Sequence, residues 1–363
     1  MKVFENKQQE CRAAVSGQRL GTLLSFIMDL TRFVRGRAHQ RFVRYLSTAV
    51  VLDIDGVLLR GTSVIPGATA ALKKLQKHKI PFVFVTNGGG MLEGTKAKDL
   101  EKKLGIKVKE ENVMLSHTPF KEAAKEYADK RVLVLGHDGC EGIAKKYGFK
   151  KVVSAHQLHA EMPTLYPRKP KSVSPSDHLP EKVAAVFVFH DPLDWALEAQ
   201  ICLDLLSNDD AVNNSESSPQ SIPMFACNAD LVYNTEHPTP RLTQGAFVEV
   251  FRHLFEIKTQ SSLAIHFCGK PFTIQYRQAE AMLEKEALRL KVPPPSKFVG
   301  IGDNPKSDIR GARNAGPNWT SILVKTGVWV MPNANNDPLD PADFVCQDIS
   351  EAVDLVVERL QQD

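Results

Sequence analysis

Twice in this sequence an apolar, strand-forming run ends in glycine-flanked aspartates. The first is Val50-Val51-Leu52-Asp53-Ile54-Asp55-Gly56-Val57-Leu58, the second Val299-Gly300-Ile301-Gly302-Asp303-Asn304-Pro305-Lys306-Ser307-Asp308-Ile309. A short apolar run without alternation reads as a strand buried on both faces, as in parallel sheets covered by helices on each side. Open sheets of that kind place their functional groups just beyond the carboxyl ends of the strands. The recurrence therefore constrains both the architecture and the place where chemistry is sited.

The chain between and around these runs fits. From residue 49 onward, strand-like runs at 49–53, 81–86, 113–116, 131–135, 183–189, 263–268, 298–301 and 320–324 alternate with helical stretches at 66–79, 94–104, 141–147, 193–206 and 273–289. Such alternation predicts parallel α/β layers. Polar insertions at 163–180 and 208–220, rich in Pro, Ser, Asn and Asp, lack apolar periodicity and read as surface loops. No repeat of fixed period is present.

A length of 363 residues exceeds one domain of roughly 100–200 residues and predicts two domains plus appended segments. The net charge of +4 is unevenly spread: residues 1–46 hold nine Lys/Arg against three Asp/Glu, which leaves the remainder at −2. A nucleic-acid partner would need its basic footprint on the folded part, so none is expected. Six cysteines without a C-x-x-C pair or zinc spacing predict reduced thiols. Within the N-terminal extension, Leu20, Leu23, Leu24, Ile27 and Met28 recur at helical spacing ahead of Arg32, Arg35, Arg37, Arg41 and Arg44. The apolar part is too short for a transmembrane anchor. Apart from Glu5 and Glu10 it suits an organelle transit segment, so the predicted location is mitochondrial, with cytoplasmic as the alternative.

A bare D-x-D arises by composition about once in a chain this long, and it gains weight from its setting at a buried strand's mouth. One carboxylate there can act as nucleophile and the other as acid/base. Asp303, at a second strand mouth, makes a hard-cation site plausible, since Mg²⁺ takes a few carboxylates together with waters and a substrate phosphate. Asp308 reads equally as a helix N-cap ahead of Ile309. Thr86-Asn87-Gly88-Gly89-Gly90 supplies a hydroxyl, an amide and permissive N–H groups where an anion could sit, and Gly269-Lys270-Pro271 supplies one cation at the corresponding mouth. His190-Asp191-Pro192 and His137-Asp138-Gly139 read as turns with an N-cap.

In this order, D-I-D-G, T-N, G-K-P and G-D-N-x-x-x-D closely resemble the motifs of the haloacid dehalogenase superfamily. DIDGVLLRG, FVTNGGG, GKP and GDNPKSDIRGARNAG resemble its subfamily with a large α/β cap between the second and third motifs, a group of nucleotide-, glycerol phosphate- and pyridoxal-phosphate phosphatases. The resemblance spans about residues 47–357 and implies a doubly wound, Rossmann-like α/β core with an inserted α/β cap. The expected division is a basic extension at 1–46, core at 47–130, cap at 131–260, core again at 261–357 and a tail at 358–363.

It further implies a Mg²⁺-dependent phosphatase. Asp53 would be the nucleophile and a metal ligand, and Asp55 the acid/base, with its backbone carbonyl on the metal. Asp303 would be the remaining protein ligand, and Asp308 would orient Lys270 or a metal-bound water. Thr86, Asn87, Gly88 and Lys270 would hold the phosphoryl group. A carboxylate at Asp55 favours phosphatase over dehalogenase, because an alkoxide needs a proton to leave and a halide does not. Cys227-Asn228-Ala229-Asp230 is similar to an Asn-x-Asp element on the cap face, where Asn228 and Asp230 would contribute to substrate specificity; a turn with Asx hydrogen bonds explains the same residues. The implied partners are a small phosphorylated metabolite and, through the cap, a second copy of the chain. The alternative from another class is a binding or regulatory module on the same fold.

Overall fold

The strand Thr48–Leu52 is buried along its whole length and sends alternate side chains into two different apolar clusters. Val50 and Leu52 join Leu72, Leu75, Leu100 and Val353 on one face, while Ala49 and Val51 join Tyr276, Ala279 and Leu283 on the other. That two-sided burial follows from the period of two along a strand and explains why the run is apolar throughout. The computed structural model describes residues 47–167, 181–207, 219–233, 235, 237, 239–329 and 335–360. The N-terminal extension and most of both polar insertions lie outside them.

Two all-parallel sheets organise the described residues. The larger runs Phe344–Cys346, Trp319–Val324, Lys297–Gly302, Thr48–Leu52, Phe82–Val85, Val113–Met114, in that spatial order. The smaller runs Ile265–Phe267, Met224–Ala226, Ala185–Val188, Arg131–Leu135, Lys151–Val153. In the larger sheet the chain builds outward from Thr48–Leu52 to one side, leaves for the smaller sheet, and returns to build the other side from Lys297–Gly302. The order therefore reverses between these two strands, and the crevice beyond their carboxyl ends is where ligands bind in open α/β sheets. Asp53 and Asp303 are the first residues beyond those two strands.

Three boundaries depart from those read in the sequence. The run at 263–268, expected to open the second half of the core, instead pairs Ile265 with Met224 and forms the edge of the smaller sheet. Residues 120–127, placed in the first half of the core at 47–130, form a helix, Phe120–Tyr127, that packs Phe120, Ala124 and Tyr127 against Val132, Val134 and Phe187 of the smaller sheet. Both segments abut their expected boundary, and apolar pattern alone does not say which sheet a run will join. The expected tail at 358–363 also begins late, since the final helical stretch Val356–Leu360 continues to Leu360, whose carbonyl accepts a hydrogen bond from Thr48 Oγ1 at 2.8 Å. The five described cysteines, Cys140, Cys202, Cys227, Cys268 and Cys346, are buried free thiols. No helix among the described residues is long and apolar enough to cross a membrane.

Candidate active site

Asp53 follows the strand Thr48–Leu52, and its backbone N–H still continues the sheet by donating to Ile301 O at 3.0 Å. Its side chain is thereby held at the crevice floor rather than on a mobile loop. Lys270 reaches it from the smaller sheet's last strand: Nζ donates to Asp53 Oδ1 at 2.5 Å, to Asp308 Oδ1 at 2.6 Å and to Val85 O at 3.1 Å. Those three bonds use all three ammonium donors. Burial works against the charge on Lys270, yet Asp308 and Asp53 hold its pKa well above the ordinary lysine range. Burial also pushes the Asp53 carboxyl well above its usual value; Lys270 draws it down, and Asp308, Asp303 and Asp55 push it back up.

Asp303 is fixed by backbone. Val328 N donates to its Oδ2 at 2.5 Å, and Trp329 N donates to its carbonyl at 3.2 Å. Burial, then Asp308, raise its pKa to about 8, against the opposing Val328 N–H and Lys270. Asp53, Asp303 and Asp308 each place one carboxylate oxygen within 4.8 Å of the others. Three buried carboxylates facing one ammonium make a site deficient in positive charge, and an all-oxygen donor set of this kind fits a hard divalent cation such as Mg²⁺.

The structure separates the sequence-derived candidates by position. Asp308 does not cap Ile309: its Oδ1 faces Lys270, its Oδ2 accepts from Asn304 N at 3.0 Å, and the cap of the following helical turn is Asn304, which accepts from Lys306 N at 3.0 Å. The Asp308 carboxylate thus sits within the acidic cluster, whereas the Asp55 carboxylate lies outside it, exposed at the mouth with Oδ2 3.4 Å from Thr86 Oγ1. Thr86 Oγ1 in turn accepts from Gly88 N at 2.8 Å. Asn87 Oδ1 accepts from Lys270 N at 2.8 Å, and Asn87 Nδ2 donates to Lys270 O at 2.9 Å, so these two motifs are joined side by side.

Asn228 forms the Asx turn its sequence allowed, its Oδ1 accepting from Asp230 N at 2.8 Å. Asp230 instead points at the core, accepting from Asn87 Nδ2 at 2.8 Å, and burial raises its pKa to about 6. His190 and Asp191 border the same cavity. Asp191 accepts from Thr243 Oγ1 at 2.7 Å, and the N-cap expected of it belongs to Asp194. His137 does more than turn the chain: Gly139 N donates to its Nδ1 at 3.0 Å, which leaves Nε2 to donate to Gly90 O at 2.8 Å, from the smaller unit, the one built on the smaller sheet, to the glycine turn beside the larger sheet.

Four groups at the site were not singled out from the sequence. Tyr276 donates to Asp308 O at 2.9 Å, and Gln244 Oε1 accepts from Cys227 N at 3.0 Å and Asn228 N at 2.8 Å. Gly327 and Val328 pack on Asp303, and a Cβ at Gly327 would overlap its carboxylate. Thr326-Gly327 follows the strand Trp319–Val324 just as the other motifs follow theirs, and that recurrence was the available signal. The cavity lined by these groups measures about 410 Å³, and Arg60, Tyr233 and Thr235 also line it.

Residues 50–150 match the family model described as haloacid dehalogenase-like hydrolase, and residues 267–352 match a second, HAD-hydrolase-like model. A mitochondrial hydrolase of Saccharomyces cerevisiae is 33% identical over 343 residues, covering 86% of this chain and 96% of its own. The chain belongs to the haloacid dehalogenase-like hydrolase family. A cardiolipin synthase (CMP-forming)/mitochondrial hydrolase fusion protein of Schizosaccharomyces pombe is 36% identical over 313 residues, covering 83% of this chain and 51% of the fusion, so the match spans about half of that protein. Among solved structures, a possible sugar phosphatase of this superfamily from Cytophaga hutchinsonii superimposes with a TM-score of 0.63 at 16% identity, covering 85% of this chain and 96% of its own. A p-nitrophenyl phosphatase from Archaeoglobus fulgidus gives 0.59 at 17% identity, with 85% and 98% covered. These two structures share the fold of this chain.

Proposed function

We propose that the protein is a Mg²⁺-dependent phosphatase that hydrolyses a small phosphorylated metabolite through an aspartyl-phosphate on Asp53. The observation that carries this reading is the Asp53–Lys270–Asp308 arrangement at the switch point of the larger sheet, beside Asp303 and beneath a cavity that has Asp55 at its mouth. An Asp53 oxygen attacks phosphorus as the bond to the leaving oxygen breaks, and Asp55, in its acid form, gives that oxygen its proton. Asp55 then takes a proton from water, the water oxygen bonds to phosphorus, and the phosphorus–Asp53 bond breaks to release phosphate. Thr86 and the Gly88 N–H would hold the phosphoryl oxygens, and Lys270, whose ammonium donors are already engaged, would offset the growing charge through its own positive charge. Asp53, Asp303 and the Asp55 carbonyl would hold Mg²⁺, with Asp308 beside them, and the ion would screen the phosphate's charge from the carboxylates.

The substrate class we favour is a glycerol phosphate-type compound. A cavity of about 410 Å³ suits a small leaving group, and the polar Arg60, Tyr233, Thr235 and His190 in its lining suit a hydroxylated one. The coupling of a hydrolase to a CMP-forming cardiolipin synthase in the fission yeast relative's name makes this the first class to try. A mitochondrial location is proposed from the basic N-terminal extension together with the names of the two yeast relatives. A homodimer through the cap would bury Val250, Leu254 and Ile257, which are exposed on helix Gln244–Thr259.

The reading is tested by following release of p-nitrophenol from p-nitrophenyl phosphate, and of phosphate from a panel of phosphorylated metabolites, with Mg²⁺ and with chelator. Mg²⁺-dependent turnover supports it. Absence of turnover on every phosphate tried would favour a binding module that keeps the fold.

A further inference from the structure

Asp230 belongs to the smaller unit by chain connectivity, in the turn after strand Met224–Ala226, but its carboxylate spends its hydrogen bonds on the larger unit. Oδ2 accepts from Asn87 Nδ2 at 2.8 Å, and Oδ1 is reached by Asn304 Nδ2 at 3.5 Å. These partners sit on loops beyond two different strands of the larger sheet, Phe82–Val85 and Lys297–Gly302. One carboxylate thus ties the smaller unit to the loop carrying the phosphate-binding motif and to the loop carrying the acidic cluster.

The arm that presents it is rigid. Asn228 Oδ1 holds the Asp230 N–H, and Gln244 Oε1 holds the two preceding N–H groups at 227 and 228. The Asp230 carbonyl accepts from Gly245 N at 3.0 Å, and a Cβ at Gly245 would overlap the carbonyl oxygens of Ala229 and Asp230. The turn and the start of helix Gln244–Thr259 therefore move together.

What Asp230 does to Asn87 follows from donor and acceptor counting. An amide side chain can sit either way round, and its NH₂ and carbonyl ends are fixed by what faces them. An ionised carboxylate only accepts, so it selects the NH₂ end of Asn87. That NH₂ has its other hydrogen on Lys270 O, and the Asn87 carbonyl is then left facing Lys270 N. Lys270 is gripped at both ends of its backbone, and from that position its Nζ bridges Asp53 and Asp308. A continuous path of side-chain and backbone hydrogen bonds runs from Asp230 through Asn87 and Lys270 to Asp53.

We propose that Asp230 is a positioning residue that couples seating of the cap to alignment of Asn87 and Lys270 on Asp53, so that the reactive set is complete only with the cap in place. The kinetic consequence rests on the phosphatase reading above; the structural consequence does not. A residue that contacted only the leaving group would alter discrimination between substrates, whereas a positioning residue alters turnover of all of them.

Two variants and two readouts test it. Asp230→Ala removes every acceptor, and Asp230→Asn keeps the shape and one acceptor oxygen, so it remains informative if the first folds poorly. With p-nitrophenyl phosphate and with glycerol 3-phosphate, Asp230→Ala is expected to lower kcat about 10- to 100-fold on both with KM changed less than about threefold, and Asp230→Asn to recover part of the loss. Asn87→Ala combined with Asp230→Ala is expected to be no slower than Asn87→Ala alone, because the second change acts through the first. In the metal-free protein, hydrogen exchange of the peptide at 268–272 is expected to speed up in Asp230→Ala, while that of residues 48–52 stays unchanged.

A loss confined to KM for glycerol 3-phosphate, additive effects in the double variant, or unaltered exchange at 268–272 would each overturn the proposal. If exchange shifts as expected but the wild-type protein hydrolyses no phosphate, the positioning role stands and the phosphatase reading fails.

Discussion

The Lys270 ammonium and the Asp53 carboxylate lie 2.5 Å apart with side-chain exposures of only 3% and 8%. Two charges so deeply buried are held by each other and by Asp308, not by water. Removing one partner of such a pair leaves the other uncompensated, at a cost of about 3–5 kcal/mol. Lys270→Met is therefore expected to lower the thermal midpoint substantially as well as to abolish turnover. Thermal unfolding followed by circular dichroism checks this; an unchanged midpoint would show that Lys270 is not compensating the buried carboxylates.

The acidic cluster predicts which ion will serve. Mg²⁺ demands near-octahedral geometry and leaves one Asp53 oxygen free to attack, whereas Ca²⁺ takes more ligands and accepts both oxygens of a carboxylate. Hydrolysis is expected to need Mg²⁺, to stop with chelator, and to be inhibited when Ca²⁺ replaces it. Equal rates with the two ions would count against ligation by Asp53.

Protons and metal should compete for the same carboxylates. Burial and Asp308 raise the Asp303 carboxyl to about 8 in the metal-free fold, from the ordinary aspartate value of 3.8 that it regains on unfolding. A raised carboxyl contributes stability that is fully present below the unfolded pKa and is lost as pH climbs through the folded one. The metal-free protein is thus expected to lose stability between about pH 4 and pH 8, and the gain in thermal midpoint on adding Mg²⁺ to be larger near pH 8 than near pH 6. A Mg²⁺ effect that shrinks as pH rises would contradict this.

Much of the site was legible because each motif repeats one device, an apolar strand that runs into polar residues with a glycine close by. Asp53, Thr86 and Asp303 are found by that rule, and so would Gly327 have been had it been applied to the run ending at Val324. The paired use of Asn87 by Lys270 and Asp230 was not legible, since it joins residues 183 and 143 positions apart in sequence. Nor was the sheet to which 263–268 belongs, because the same apolar pattern satisfies either sheet. Asn228 and Asp230, adjacent but for one alanine, divide their tasks: the first holds its own turn, and the second reaches the other unit.

Gly327 gives a prediction from crowding. Any Cβ there would collide with the Asp303 side chain, which Val328 N and Trp329 N hold in place. Gly327→Ala is expected to weaken Mg²⁺ activation about 10-fold or more, while leaving the fold intact, by displacing the carboxylate. Titrating activity against Mg²⁺ concentration measures it; an unaltered midpoint would mean that Asp303 does not bind the ion.

The most direct measurement is acid quenching during turnover of p-nitrophenyl phosphate with Mg²⁺, followed by mass spectrometry of the peptide containing Asp53. A phosphoryl group is expected on Asp53 in the wild-type protein. Asp53→Asn, which keeps the shape of the side chain but not its charge or nucleophilicity, should show no such adduct and should turn over at least about 1,000-fold more slowly. A phosphoryl group trapped on another residue, or hydrolysis by Asp53→Asn at the wild-type rate, would contradict it.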